Sequence, residues 1–186
     1  DCYQRYYANV HRGIHTLSEE STEAYERSRK AIASFIGAAS EREVIFTSGA
    51  TASVNLVART WGDQHLREGD VVLTTIAEHH ANIVPWHQLS ERTGCRVEFL
   101  TLQNDFTFDD EAVQQKLHQV RPKMFAFNAA SNVLGTITPV RNWTRGLGNK
   151  LICSTRYAHT RHSRRWLVLT NSPHLLYFLK ETATTS

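Results

Sequence analysis

The run Val71-Val72-Leu73-Thr74-Thr75-Ile76-Ala77-Glu78-His79-His80-Ala81-Asn82-Ile83-Val84-Pro85-Trp86 changes structural character partway along its length. Its first five residues are apolar or β-branched and read as a short strand buried on both faces. Pro85 suits the first turn of a helix, where its missing N–H does no harm, so a helix is expected over about residues 82–92. Between strand and helix stand an acid and two adjacent histidines, Glu78, His79 and His80. They fall at the carboxyl end of a strand, where open α/β sheets bind ligands. A histidine is more often structural than catalytic, and Pro85 with Trp86 suits a core equally well. Taken alone, the stretch leaves both readings open.

The same alternation continues on either side. Residues 3–18 mix aromatic, His and Arg residues without a period and read as an extended arm. Ser18 then opens an acid-rich turn containing Glu19, Glu20 and Glu23, which suits the positive end of a helix. Ala24, Ser28, Ala31, Ile32, Phe35 and Ile36 follow at helical spacing, and Gly37 is placed to end the helix. Glu43 to Thr47 reads as a strand, and Ser48-Gly49-Ala50-Thr51 turns into a helix through Val54, Val57, Ala58 and Trp61. Downstream, Arg96 to Leu100 is a strand, Asp109 or Asp110 caps a helix through Val120, and Lys123 to Phe127 is a further buried strand. Strands alternating with helices predict an α/β fold, a mostly parallel sheet flanked by helices.

With 186 residues, 41% of them hydrophobic, the chain has enough material for one real core but not comfortably for two. No apolar run approaches the length of a membrane span, and no leader precedes a cleavage site, so a soluble protein is expected, cytoplasmic or else organellar. The chain begins at Asp1 rather than Met, which leaves room for sequence upstream. Cys2, Cys95 and Cys153 are scattered and odd in number, arguing against a disulfide framework. His159 and His162 have no acid or Cys at ligand spacing, so no metal site is expected. Charge divides sharply near Val140: residues 1–140 hold 17 acids and 13 bases, whereas residues 141–186 hold 8 bases and 1 acid. Periodicity weakens at the same place. A basic tail of this kind can attract nucleic acid or acidic partners. It has no regular aromatic interleaving and no reader motif, so nucleic acid is not the expected partner.

Three pieces carry chemistry. Thr47 to Thr51, between strand and helix, offers free backbone N–H groups and a hydroxyl to an anion such as phosphate, although Gly and Thr also serve as plain caps. His79 can lay an imidazole flat against an aromatic ring. Ser131-Asn132-Val133-Leu134-Gly135 follows the strand ending at Phe127 and offers an amide at the same edge. Phosphate cradle, stacking ring and amide together describe a socket for a phosphorylated aromatic cofactor.

These residues resemble the class V aminotransferase family of pyridoxal-phosphate enzymes, and within it the Suf-type cysteine desulfurases. The resemblance rests on Val10 to Ser18, the Gly49-Ala50-Thr51 turn with Asn55 to Ala58, Glu78 to Trp86, and Ser131 to Gly135, spanning about residues 3–140. It implies an incomplete fold-type-I large domain over residues 1–140, a homodimer, and pyridoxal phosphate as cofactor. It also implies that cysteine sulfur passes to an enzyme thiolate as a persulfide while alanine leaves, and that an acceptor protein then takes the sulfur for iron–sulfur cluster assembly. Carried over by position, Ala50 and Thr51 would hold the cofactor phosphate, His79 would stack on its ring and Asn132 would contact it near the ring hydroxyl. His11 and Arg12 would lie in an interface arm, while His80 and His87 are read as structural.

Beyond Val140 the sequence departs from this pattern. Neither a strand ending in Asp, nor a Ser-x-His-Lys lysine, nor the small domain's cysteine nucleophile and arginine can be found. Ser154 stands near the place expected for the Asp and cannot act as its carboxylate. A frameshift or misread exon would explain the charge jump and the lost motifs together, and the polypeptide as written is expected to lack desulfurase activity. Competing readings are a selenocysteine lyase or related enzyme sharing the socket, a non-catalytic protein acting through its basic tail, and a decoy partner pairing through the His11 arm.

Overall fold

The computed structural model describes residues 2–11, 13–36, 38, 40–131, 134–144, 151–154, 167–169 and 175–177. They fall into two compact units, residues 1–44 and 45–186. In the first, α1 (Cys2–Arg5) is a single turn and α2 (Thr16–Ile36) is the long helix expected from its spacing. It begins before Ser18, because His15 supplies the cap: its carbonyl and Nδ1 accept from the Ser18 N–H at 2.9 and 3.3 Å. Ser18 is instead buried, with its hydroxyl donating to the Asn9 carbonyl. Ser21 does the same to the Tyr6 carbonyl, so the arm lies along α2. Gly37 lies outside the described residues.

Strand β1 (Val44–Phe46), whose last two residues open the second unit, leads into α3 (Ala50–Val57), which continues through a π turn, Ala58–Gly62, into the short α4 (Asp63–His65). Then come β2 (Val71–Thr75), a 3-10 turn at His80–Asn82, α5 (Val84–Thr93) with Pro85 in its first turn, and β3 (Arg96–Leu100). The chain continues as α6 (Asp110–Val120), β4 (Met124–Phe127), α7 (Val140–Thr144), β5 (Leu151–Ser154), β6 (Leu167–Leu169) and β7 (Leu175–Tyr177). Asp109 caps α6 by accepting from the N–H groups of Glu111 and Ala112, which satisfies two of the donors a helix start leaves open.

Five strands form one sheet in the order β3-β2-β4-β5-β6, and every neighbouring pair is parallel. A separate two-stranded sheet joins β1 and β7. From β2 the chain moves outward to β3, then returns past β2 to build β4, β5 and β6 on the other side. The order therefore reverses between β2 and β4, and the crevice beyond their carboxyl ends is the topological switch point.

Both central strands are fully buried, because alternate side chains enter two different cores. On one face Val72, Met124 and Ala126 pack with Val54, Val57, Ala58, Leu66, Trp86 and Leu89. Gly62 leaves room here for Leu89: a Cβ on it would fall 2.6 Å from Leu89 Cδ2, which would have to shift. A second, aromatic cluster joins Phe125 and Phe127 to Trp143, whose ring is fully buried. Trp143 also meets Phe108 edge-on at 5.0 Å and donates from Nε1 to Asp110 Oδ1 at 2.9 Å. Among the described residues no helix is long and apolar enough to cross a membrane, and no group of three His, Cys, Asp or Glu could hold a metal ion.

Candidate functional site

The turn before α3 depends on a glycine. Gly49 has φ 155° and ψ 179°, a combination open essentially to glycine alone, and no side chain caps the helix behind it. Its carbonyl is turned into the fold, where it accepts from the Ser53 N–H at 3.0 Å and from the hydroxyls of Ser53 and Thr47 at 3.1 and 3.2 Å. Those hydroxyls are 2.7 Å apart, so the turn is braced from beneath. The first N–H groups of α3 have no intrahelical acceptor, and Thr51 is exposed beside them. Helix α3 packs against the His80–Asn82 turn, bringing the cradle and the histidine segment into one neighbourhood.

The loop after β2 is organised by its acid. Glu78 is 7% exposed, and its Oε1 accepts from Thr75 Oγ1 and from the Asn128 N–H, both at 2.8 Å. Its Oε2 accepts from Asn82 Nδ2 at 2.8 Å, and Asn82 Oδ1 accepts from Trp86 Nε1 at 3.2 Å. Burial pushes the Glu78 carboxyl above its ordinary pKa, and the donors from Asn82, Asn128 and Thr75 pull it back without cancelling that rise. His79 stands next in sequence with its ring exposed. Its Nδ1 accepts from the Ala81 N–H at 3.1 Å, fixing the ring against the 3-10 turn. His80 meets it edge-on at 6.0 Å, and His87 stacks on Phe99 at 5.8 Å.

The loop after β4 is tied to the same point. Asn128 Nδ2 and Ser131 Oγ both donate to the Ala77 carbonyl, at 3.0 and 3.1 Å. Thr138 Oγ1 donates to the Asn128 carbonyl at 2.7 Å, closing a hairpin whose Ala130 and Ile137 are bridged. Ser131 is thereby held beside the histidine loop. Asn132 itself lies outside the described residues, as does Arg12.

Ala50, Thr51 and His79 thus belong to elements that meet at the carboxyl edge of the sheet. His11 belongs to the first unit, where its N–H donates to Thr22 Oγ1 and its Nε2 lies 3.0 Å from Glu26 Oε1, with the ring edge-on to Tyr25. In the sequence Glu78 stands out only as an acid before two histidines and Asn82 only as a member of the Glu78 to Trp86 run, while Asn128 and Thr138 do not stand out at all. The four-residue steps from Glu78 to Asn82 to Trp86 are the available signal, since such steps bring side chains together over a helical turn.

A phosphorylated aromatic ring suits what is present: open N–H groups and a hydroxyl for the phosphate, and an exposed imidazole for the ring face. An amine anchor does not appear among the described residues of this edge. Lys116 is engaged with Glu98 at 2.6 Å, and Lys123 precedes β4, at the opposite end of the strand, bound to Asp70 and the His65 carbonyl. Ser154 ends β5 in register with Phe127, on the carboxyl edge.

Comparison with known proteins agrees with this geometry. The family model described as aminotransferase class-V matches residues 1–152. A probable cysteine desulfurase of Halalkalibacterium halodurans is 46% identical over 141 residues, covering 76% of this chain and 34% of that protein. A cysteine desulfurase of Synechococcus elongatus is 46% identical over 139 residues, covering 75% and 22%. The chain therefore spans about a third or less of the length of these curated relatives. Among solved structures, an apo cysteine desulfurase from Thermococcus onnurineus superposes with a TM-score of 0.77 at 30% identity, over 96% of this chain and 48% of that one. A cysteine desulfurase of Escherichia coli, at 24% identity and a TM-score of 0.70 over 92% and 47%, shares the fold. The parallel sheet flanked by helices is that of fold-type-I pyridoxal-phosphate enzymes.

Proposed function

Because the chain belongs to the aminotransferase class-V family, we propose that it is part of the cofactor-binding domain of a pyridoxal-phosphate cysteine desulfurase. One observation supports the reading: α3 packs against the His80–Asn82 turn that follows the exposed His79, and the loop after β4 is bonded to Ala77 in the same segment, at the carboxyl end of β2 beside the switch point. The backbone N–H groups at Ala50 and Thr51, with the Thr51 hydroxyl, bind the phosphate, where the helix dipole also favours an anion. His79 orients the ring from one face, and Asn132 contacts the ring near its hydroxyl. When bound, pyridoxal phosphate supplies the electron sink that lets the bond from carbon to sulfur break. The homodimer, the acceptor protein and iron–sulfur cluster assembly as the destination of the sulfur rest on the family resemblance alone.

The 186-residue polypeptide taken by itself is proposed to bind without turning over. It contains no Ser-x-His-Lys sequence, and Ser154, near the place where the family pattern calls for an Asp, brings no carboxylate. The test is a titration with deoxypyridoxine phosphate, which lacks the aldehyde and cannot condense with surface lysines. Induced circular dichroism of the bound ring should appear, weaken in His79→Ala, and weaken with Thr51→Ala. Alanine release from cysteine should be absent. A flat titration would sink the binding claim, and turnover by the polypeptide would sink the claim of inactivity.

A further inference from the structure

The buried network around Glu78 has a direction that can be read from groups able only to donate. The Trp86 indole N–H is one, so the atom it meets at 3.2 Å is an acceptor, Asn82 Oδ1. That fixes the amide, and its Nδ2 must donate into Glu78 Oε2 at 2.8 Å. The Ala77 N–H donates to Thr75 Oγ1 at 3.2 Å, which sends the Thr75 proton to Glu78 Oε1 at 2.8 Å. The third input is the Asn128 backbone N–H, again a donor only, at 2.8 Å. Every path ends in a donor aimed at Glu78, and an ionised carboxylate is the side chain that only accepts. Among the described residues no Lys, Arg or His pairs with it, so directed dipoles alone oppose the cost of its burial, in part.

We infer that Glu78 is the positioning residue of the candidate site: as an ionised carboxylate it locks the loop that presents His79 to the loop that follows β4. The inference rests on the proposed role of the His79 ring and deepens it. The main chain on either side of His79 is constrained. Ala77 accepts from Asn128 Nδ2 and Ser131 Oγ, Glu78 holds Asn82 and Asn128, and the ring itself caps the turn at Ala81. Without the carboxylate, His79 keeps its local cap but loses its register against β4. The α3 cradle shares none of these bonds. Ring recognition and phosphate recognition are therefore separable.

Polarity inversion tests this. Glu78→Gln places an amide N–H against Asn82 Nδ2, donor to donor, and Asn82→Asp places two carboxylates together. In the double variant the new amide at position 78 can donate to the new carboxylate at position 82, which still accepts from Trp86. The amide oxygen at position 78 then accepts from Asn128 and Thr75. Each single variant of the full chain should bind deoxypyridoxine phosphate about tenfold more weakly or worse, the equivalent of one buried unsatisfied group. Inorganic phosphate affinity should be unchanged, and the double variant should recover most of the lost ring affinity. Thermal midpoints of all four chains show whether folding is equally restored, and the double variant keeps the test valid if a single variant unfolds. A Glu78→Gln chain that binds the ring as the parent does, or a double variant no better than the singles, overturns the inference. A His79→Ala chain that binds as the parent does overturns the proposed stacking instead.

Discussion

Trp143→Ala offers the sharpest measurement of where the core ends, because Trp143 lies beyond the change in charge and periodicity near Val140. The ring is fully buried, 5.0 Å from Phe108, 5.5 Å from Phe127 and 5.9 Å from Phe125 by centroid. A tryptophan buries roughly 200 Å², which at about 25 cal/mol per Å² gives about 5 kcal/mol as an upper bound. Measured truncations of buried Phe and Trp fall at about 3–5 kcal/mol, and that is the expected loss. The broken bond to Asp110 adds little, since Asp110 is half-buried and also meets Asn142 Nδ2 at 3.3 Å. Trp143→Phe, which keeps most of the ring and removes the N–H, should cost only about 1–2 kcal/mol. Urea unfolding followed by far-ultraviolet circular dichroism measures both, and the loss should appear as a lower midpoint with an unchanged slope. Against a typical total of about 5–15 kcal/mol, the alanine change would remove a large share of the stability. A loss under about 1 kcal/mol at constant slope, well below the cost of a buried ring, would refute the packing argument and return the end of the core to Val140.

Two further outcomes follow from single side chains. Glu78 has a folded pKa raised above its ordinary value of 4.5 by burial, so its contribution to stability is fully present below 4.5 and is lost as pH rises through the folded value. The parent should therefore lose stability relative to Glu78→Gln across that interval, and a difference independent of pH would contradict the assignment. Asp109→Ala removes the acceptor for the Glu111 and Ala112 N–H groups and should cost about 1 kcal/mol in the same urea assay, with no change in phosphate affinity.

Much of the second unit was legible in its sequence because local physics decides it. Val71 to Thr75 and Met124 to Phe127 are too apolar to face water, and the observed strands are buried throughout, with the expected first residue Lys123 exposed instead. Pro85 and Asp109 mark helix starts through chemistry confined to one turn. Gly49 before Ala50 and Thr51 announces a turn whose N–H groups stay open. Local chemistry puts the α2 cap at Ser18, but a longer contact intervenes: the arm residue Asn9 takes the Ser18 hydroxyl, and His15 caps in its place. Trp143 belongs with this group, since nothing local in Val140 to Thr144 announces that a ring there completes an aromatic cluster built on β4.

The sequence by itself determined the alternation of strands and helices, the anion-ready start of α3 and the family, all of which depend on neighbours along the chain. Only the tertiary structure decided that β2 lies between β3 and β4, which puts the reversal of strand order, and so the crevice, beside His79. It alone revealed Glu78 as a hub, because the Asn128 N–H that addresses it lies fifty residues away in the chain. A carboxylate's meaning depends on which donors surround it, and that is set when the two strands pair, not when the residues are joined.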